Sequence, residues 1–240
     1  MKAMLLAAGI GSRLGQITDR LPKALVQVAG KPMLEHVILN LKSAGVSEIV
    51  INLFHLADQI EEYLKTKKNF AIDIHFSHEK KLLGTGGGLR NAGSHFISEK
   101  AFFLYNCDIY CDLDLKLLAE YHRQNPALAT LVVMRRASSR KLLFKEDGSL
   151  MGWKNPDANK LIGGAIENMQ EFAFSGIHII SSKLFDFMKE EPDNFSIIKA
   201  YMNAAEAGQK VQKFVMPDRC YWADVGKPES LERANKHKFS

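Results

Sequence analysis

A short apolar run, Met4 to Ala8, empties into a loop carrying Gly9, Gly11, Ser12 and Arg13, and Lys23 follows behind Pro22. This opening constrains the fold more than any later segment. A buried strand that ends in a glycine-rich loop is how a parallel sheet presents bare backbone N–H groups to a phosphate. Arg13 and Lys23 bring two cations to the same mouth. The competing reading is a plain strand-to-helix turn, which Gly-x-Gly alone would allow. No Gly-Lys-Ser or Gly-Lys-Thr closes the loop, and the third glycine of the dinucleotide fingerprint is missing. A nucleotide held here would be held in a different mode.

The first half of the chain alternates between two periodicities. Met4–Ala8, Glu48–Leu53, Ala71–Phe76, Ala101–Cys107 and Leu128–Met134 read as strands. Between them, Lys31–Ala44 repeats Met33, Leu34, Val37, Ile38 and Leu41 at helical spacing and stops at Gly45. Leu56–Leu64, Gly86–His95 and Leu113–Arg123 also read as helices. Such alternation predicts an α/β fold: a doubly wound, mostly parallel mixed sheet. After Met134 the pattern changes. Leu142–Lys145, the turn Asp147-Gly148 and Leu150–Trp153 predict a hairpin. Strands follow at Phe172–Ile180, Val211–Met216 and Tyr221–Val225, with helices at Ser182–Met188, Ser196–Ala207 and Pro228–Lys236. One domain over 1–240 is expected, with 135–240 as a lobe laid over the same sheet and no separate domain.

Composition excludes several classes. No apolar stretch reaches the roughly 18 residues that span a bilayer, and the amino terminus enters strand and loop too soon for a signal peptide. A cytoplasmic protein is expected. The net charge of +5 is scattered apart from Lys65–Lys68 and Lys80–Lys81, which suits small anionic substrates and not a nucleic-acid face. Three cysteines argue against a disulfide framework. Cys107, Cys111 and His122 match no zinc spacing and read as buried thiols and a structural histidine.

Four elements could meet at the carboxyl ends of the strands, where open α/β sheets bind ligands. The opening loop is one. Gly84-Thr85-Gly86-Gly87-Gly88 is the second, expected to bring backbone close to a base or ribose. Asn106-Cys107-Asp108 places a carboxylate at a strand end, where it can hold a hard cation. Trp222-Ala223-Asp224-Val225-Gly226 offers a second carboxylate. Ser175 sits in Phe174-Ser175-Gly176-Ile177 and not in a Gly-x-Ser-x-Gly elbow, so hydrolase chemistry is unsupported.

With these elements placed, the chain resembles the nucleotidyltransferases that join a nucleoside triphosphate to a sugar 1-phosphate. The matching residues are Leu6-Ala7-Ala8-Gly9-x-Gly11-x-Arg13, Leu21-Pro22-Lys23, Val28-Ala29-Gly30-Lys31-Pro32-Met33, Gly45-Val46, Thr85-Gly86-Gly87-Gly88, Asn106-x-Asp108, Phe174-Ser175-Gly176-Ile177 and Trp222-x-Asp224-Val225-Gly226. Within that family it is similar to the N-acetylmuramate 1-phosphate uridylyltransferases. The resemblance implies a Rossmann-like catalytic domain, with 1–134 as its nucleotide-binding part and 135–240 as a small sugar-binding lobe with closing strands, and that Leu6, Ala7, Ala8, Gly9, Gly11, Ser12, Arg13, Lys23, Gly86 and Gly87 bind the nucleotide. It implies that Asn106, Ser175 and Gly176 bind the sugar phosphate, and that Asp108 and Asp224 hold Mg²⁺. Arg13, Lys23, Asp108 and Asp224 are then the catalytic set. The expected substrates are an NTP, with UTP favoured, and a sugar 1-phosphate; the expected assembly is a monomer or small homo-oligomer.

Two departures stand out. Relatives carry Arg-Pro-Leu-Thr after the arginine, where this chain has Gly15-Gln16-Ile17-Thr18. Hexose-type relatives carry Glu-Lys-Pro after the hairpin to hold the sugar, where this chain has Trp153-Lys154-Asn155-Pro156. No acyltransferase extension follows, so a single activity is expected. The alternatives are a guanylyl- or cytidylyltransferase for heptose 1-phosphate, mannose 1-phosphate or phosphocholine, and, in another class, a non-catalytic nucleotide-sensing relative.

Overall fold

The computed structural model describes residues 1–155, the backbone of 158–161, and residues 169–237. Its strands are β1 (Lys2–Leu6), β2 (Gln27–Val28), β3 (Lys31–Pro32), β4 (Glu48–Leu53), β5 (Asp73–His78), β6 (Phe102–Asn106), β7 (Ile109–Cys111), β8 (Ala129–Met134), β9 (Lys141–Phe144), β10 (Leu150–Asn155), β11 (Ala158–Leu161), β12 (Gln170–Ile180), β13 (Val211–Val215) and β14 (Trp222–Asp224). Its α-helices are α1 (Ile17–Arg20), α2 (Met33–Ser43), α3 (Ala57–Thr66), α4 (Gly84–Asn91), α5 (Leu115–Gln124), α6 (Ile197–Glu206) and α7 (Pro228–Lys236).

Alternation along the strands divides the core. In β1, Ala3 and Leu5 pack into one apolar cluster with α2, α3 and α5, while Met4 packs into the other with α4 and α6. Strands β4 and β6 split the same way: Ile49, Ile51, Phe103 and Tyr105 to the first side, Val50, Phe102 and Leu104 to the second. A sheet apolar on both faces needs helices on both faces. The doubly wound reading is therefore correct, and its cause is the near-continuous apolar run of each strand.

Strands β5, β4, β1 and β6 are neighbours in parallel, and β12 joins antiparallel to β6. The opposite edge of β12 takes β8, which pairs in parallel with β13. The hairpin β9–β10 turns at Gly148 (φ 88°) and extends the sheet from the start of β12. The order is β11-β10-β9-β12-β6-β1-β4-β5 in one ten-stranded mixed sheet. Strands β7 and β14 form a separate antiparallel pair, with Asp224 opposite Ile109. The short β7 has no sequence signal, since Ile109–Cys111 is too brief for a period to show.

Helix boundaries follow local chemistry. Asp114 caps α5 by accepting from Lys116 N, and Ser196 caps α6 by accepting from Ile198 N. Helix α2 begins two residues later than its periodicity suggests, because Lys31–Pro32 pairs with Gln27–Val28. Cys107 and Cys111 are buried, and burial pushes the Cys111 thiol up to about 12. His122 bonds Thr130 Oγ1 at 2.7 Å. Among the described residues no helix is long and apolar enough to cross a membrane.

His178 sits fully buried in β12, with Nδ1 bonded to the Tyr201 hydroxyl and Nε2 without a partner. Burial lowers its pKa from 6.5 to about 3. The folded state thus favours the neutral ring, and stability is lost as pH falls below the unfolded value toward the folded one. At pH 5 the cost is about 2 kcal/mol. Urea titrations at pH 7 and pH 5 should show this loss in the native chain and a shallower one in His178→Gln. Equal slopes would rule out a desolvated ring.

Candidate functional site

The opening loop is folded tightly on itself. Gly11 and Gly15 adopt φ of 75° and 58°, and buried Thr18 donates from Oγ1 to Gly11 O at 3.0 Å and Gly15 O at 3.2 Å. Thr18 therefore closes the loop that the departure at Gly15–Thr18 left open. A Cβ on Gly11 would stand 2.9 Å from Thr18 Cγ2 and 3.1 Å from Lys23 Cβ, so only glycine fits. Gly9 has nothing within 4 Å of such an atom; it faces open space at the mouth.

Three strand ends bring the charged groups together. Lys23 Nζ is ion-paired with Asp108 Oδ2, just past β6. Strand β14 lies beside β7, and Val225 N donates to Asp108 O at 3.0 Å, which carries Asp224 to the same place. Gly226 marks the centre. A Cβ there would lie 2.8 Å from Arg13 Nη2, 2.8 Å from Asp224 Oδ1 and 2.9 Å from Lys23 Nζ. Arg13, Lys23 and Asp224 thus meet around one glycine, and Asp108 joins them through its ion pair with Lys23, although all four come from distant parts of the chain.

Three cavities open around this point, and Asp108 lines all of them. One of about 230 Å³ is bounded by Leu6, Ala7, Gly9, Gly11, Ser12, Arg13 and Lys23. A second of about 180 Å³ is bounded by Ala8, Gly9, Asn52, Glu79, Gly84, Thr85 and Asn106. The largest, about 580 Å³, takes in Asn106, Arg136, Trp153, Ser175, Gly176, Trp222 and Asp224. Asn106 sits where the last two meet. Its Oδ1 is buried without a partner, and its Nδ2 lies 2.9 Å from where a Cβ on Gly176 (φ 83°) would stand.

Gly86 and Gly87 are placed differently from expectation. A Cβ on Gly86 would stand 2.3 Å from the Phe195 ring, and one on Gly87 would stand 2.1 Å from Asp193 O. These glycines are buried against the 193–195 segment and line none of the cavities described above. Their smallness serves packing; Gly84 and Thr85, just before them, face the cavity instead. Lys154 is also absent from the cavity wall. Its ammonium pairs with Glu171 at 2.5 Å, and Trp153 takes the wall. Pro156 lies outside the described residues.

Sequence reasoning missed Asn52, Glu79 and Arg136. Asn52 accepts from Ala7 N at 2.7 Å and donates to Glu79 Oε1 at 2.6 Å, while Glu79 Oε2 accepts from Leu83 N at 3.0 Å. Burial raises the Glu79 pKa against the pull of those two bonds. The one available signal was a polar Asn inside an apolar strand.

Asp108 and Asp224 fit a hard divalent cation. Each keeps one carboxylate oxygen without a hydrogen bond among the described residues, and both face the largest cavity. Two carboxylates with room for phosphate oxygens and water suit such an ion. Glu48, Asp73 and His75 also lie close together, but at the amino ends of β4 and β5, the opposite end of the sheet. Lys2 already pairs with Glu48 at 2.8 Å there.

The chain is 32% identical over 236 residues to the mannose-1-phosphate guanylyltransferase catalytic subunit beta of Drosophila melanogaster, covering 96% of this chain and 60% of that protein. It is 31% identical over 252 residues to the mannose-1-phosphate guanyltransferase of Schizosaccharomyces pombe, covering 99% and 66%. The chain therefore spans under two thirds of the length of these relatives. They are guanylyltransferases, so the narrower kinship to N-acetylmuramate 1-phosphate uridylyltransferases gives way to the broader family. Among solved structures, HddC from Yersinia pseudotuberculosis in complex with GMP-PN superposes with a TM-score of 0.76 at 24% identity over 98% of each chain. UDP-glucose pyrophosphorylase from Acinetobacter baumanii gives 0.79 at 18%, over 98% of this chain and 91% of that one. These two likenesses establish a shared fold. The family pattern described as Nucleotidyl transferase matches residues 2–239, and the chain belongs to that family.

Proposed function

We propose that this chain transfers a nucleoside monophosphate from a triphosphate to a sugar 1-phosphate, releasing pyrophosphate, and that GTP and mannose 1-phosphate are its preferred pair. The convergence of Arg13, Lys23 and Asp224 around Gly226, with Asp108 paired to Lys23, carries the reaction class. The mannose-1-phosphate guanylyltransferases among its relatives support the choice of pair. A cytoplasmic setting accords with the substrates.

The three cavities suit the three parts of the reactants. The glycine loop with Arg13 and Lys23 suits the triphosphate, the Asn52–Glu79 cavity suits the nucleoside, and the large cavity suits the sugar phosphate. Asp108, common to all three, stands where the α-phosphate would react. An acceptor phosphate oxygen forms the new bond to Pα. The bond from Pα to its bridging oxygen breaks, and the electron pair leaves with pyrophosphate. The acceptor is a dianion near neutral pH, since a phosphate monoester loses its second proton near pH 6. No base is required, and among the described residues no histidine lines these cavities.

What remains for the protein is to hold two anions that repel one another and to neutralise charge. Loop amides and the two cations do this for the triphosphate. Mg²⁺ held by Asp108 and Asp224 would supply further charge neutralisation and orientation of phosphate oxygens.

Pyrophosphate release should be measured with GTP, UTP, CTP and dTTP, each against mannose 1-phosphate and N-acetylmuramate 1-phosphate. The highest kcat/KM is expected for GTP with mannose 1-phosphate. A preference for UTP with N-acetylmuramate 1-phosphate would restore the reading drawn from the sequence motifs. Nucleotide binding without release from any pair would favour a sensor.

A further inference from the structure

We propose that Arg136 is the cation that holds the acceptor's phosphate. The assignment rests on the nucleotidyl-transfer reading above and adds a residue to it.

Arg136 stands two residues past the end of β8, on the wall of the large cavity it shares with Asp108 and Asp224. Its guanidinium carbon lies 4.4 Å from the Trp222 ring centroid. Trp222 is itself fixed, donating from Nε1 to Ser175 O at 2.9 Å. Arg136 Nη2 donates to Phe174 O at 3.2 Å and Nη1 to Ala137 O at 3.2 Å. The plane of the fork is therefore set by a ring on one side and two carbonyls at its edge.

The charge is not matched. A guanidinium carries five N–H donors, and here two of them meet neutral carbonyls. Nε is buried with no partner, and among the described residues no carboxylate lies within 4 Å. Burial lowers the Arg136 pKa, opposed by the more distant Asp224. A half-buried cation without a counter-ion is costly unless an anion completes it.

The other cations along this cavity are differently occupied. Arg13 also bounds the small glycine-loop cavity, and Lys141 Nζ donates to Arg136 O at 2.6 Å. Arg140 and Lys227 are exposed, and Lys154, off this wall, is tied to Glu171. Charge balance calls for a separate cation on the acceptor side. A sugar 1-phosphate must bring two negative charges beside a triphosphate and two aspartates. A planar fork held by an aromatic face matches a phosphate at two oxygens, which an ammonium cannot do.

The test compares the native chain with Arg136→Gln and Arg136→Lys in steady-state pyrophosphate release. KM for mannose 1-phosphate should rise about 10- to 100-fold in Arg136→Gln, with KM for the triphosphate within about twofold. Arg136→Lys should fall between, since it keeps the charge and loses the fork. Calorimetric binding of mannose 1-phosphate should weaken to the level of unphosphorylated mannose, whose own binding should not change. A merely structural Arg136 would instead lower thermal stability and shift both KM values together. An unchanged acceptor KM, or equal shifts in both, overturns the assignment while leaving the reaction standing. A native chain that releases no pyrophosphate from any pair overturns the reaction and this assignment with it.

Discussion

Replacing Lys23 with alanine is expected to lower kcat for pyrophosphate release by about 10²- to 10³-fold, the usual effect of losing one preorganised charge at a reacting centre. Lys23 is held for this position. Pro22 sets the chain into the short 3-10 turn Lys23–Leu25, and Gly11 leaves space along its stem. Its ammonium reaches both Asp108 and the point around Gly226. The substitution removes a cation and also leaves Asp108 uncompensated, so the site gains net repulsion toward the triphosphate. The fold should survive, because the Asp108 side chain is 27% exposed and can be hydrated once its partner is gone. Lys23→Arg should not restore the rate, since a wider guanidinium must fit between Gly226 and Asp108. Stopped assays on purified protein, with circular dichroism to check the fold, decide the matter. Near-native turnover in Lys23→Ala would remove Lys23 from the mechanism.

Gly87→Ala should damage the fold more than the chemistry. Helix propensity alone predicts the opposite, a gain of about 1 kcal/mol on replacing a helical glycine by alanine. Packing overrules it. The new methyl would stand 2.1 Å from Asp193 O, a backbone atom that cannot swing aside. Segment 193–195 is pinned over α4 by Gly86 N to Phe195 O at 2.9 Å and Phe195 N to Leu83 O at 3.1 Å. Arg90 adds bonds to the carbonyls of Met188, Glu191 and Pro192 and lies over the Phe195 ring. Moving the segment breaks several of these at once. A loss of about 3 kcal/mol or more is expected, in the range of severe overpacking. The urea midpoint reads it directly. A variant as stable as the native chain would mean that the helix and the segment are not in contact.

These two positions mark the boundary of what a sequence reading reaches. Lys23 was legible, because a cation behind a strand–glycine loop is a local pattern with a local reason. Gly86 and Gly87 were legible as glycines that had to be glycines, and the structure supplies a packing reason that the sequence did not. The atoms that exclude a side chain come from residues 193 to 195, and nothing local announces them. Arg136 carries no local signal; β8 and β14 set it against Trp222. Lys154 had the right charge for a sugar contact and was drawn to Glu171 across the neighbouring strand.

By itself the sequence determined the α/β alternation, the glycine loop at the first strand's end and the identity of the four charged residues, because periodicity, turn chemistry and residue charge are properties of short segments. The tertiary structure alone decided that β14 pairs with β7, so that Asp224 meets Arg13 and Lys23 around Gly226 while Lys23 holds Asp108. The reason is physical: strand pairing is chosen by the packing of the whole sheet and its helices, and it sets which distant side chains share one dielectric environment.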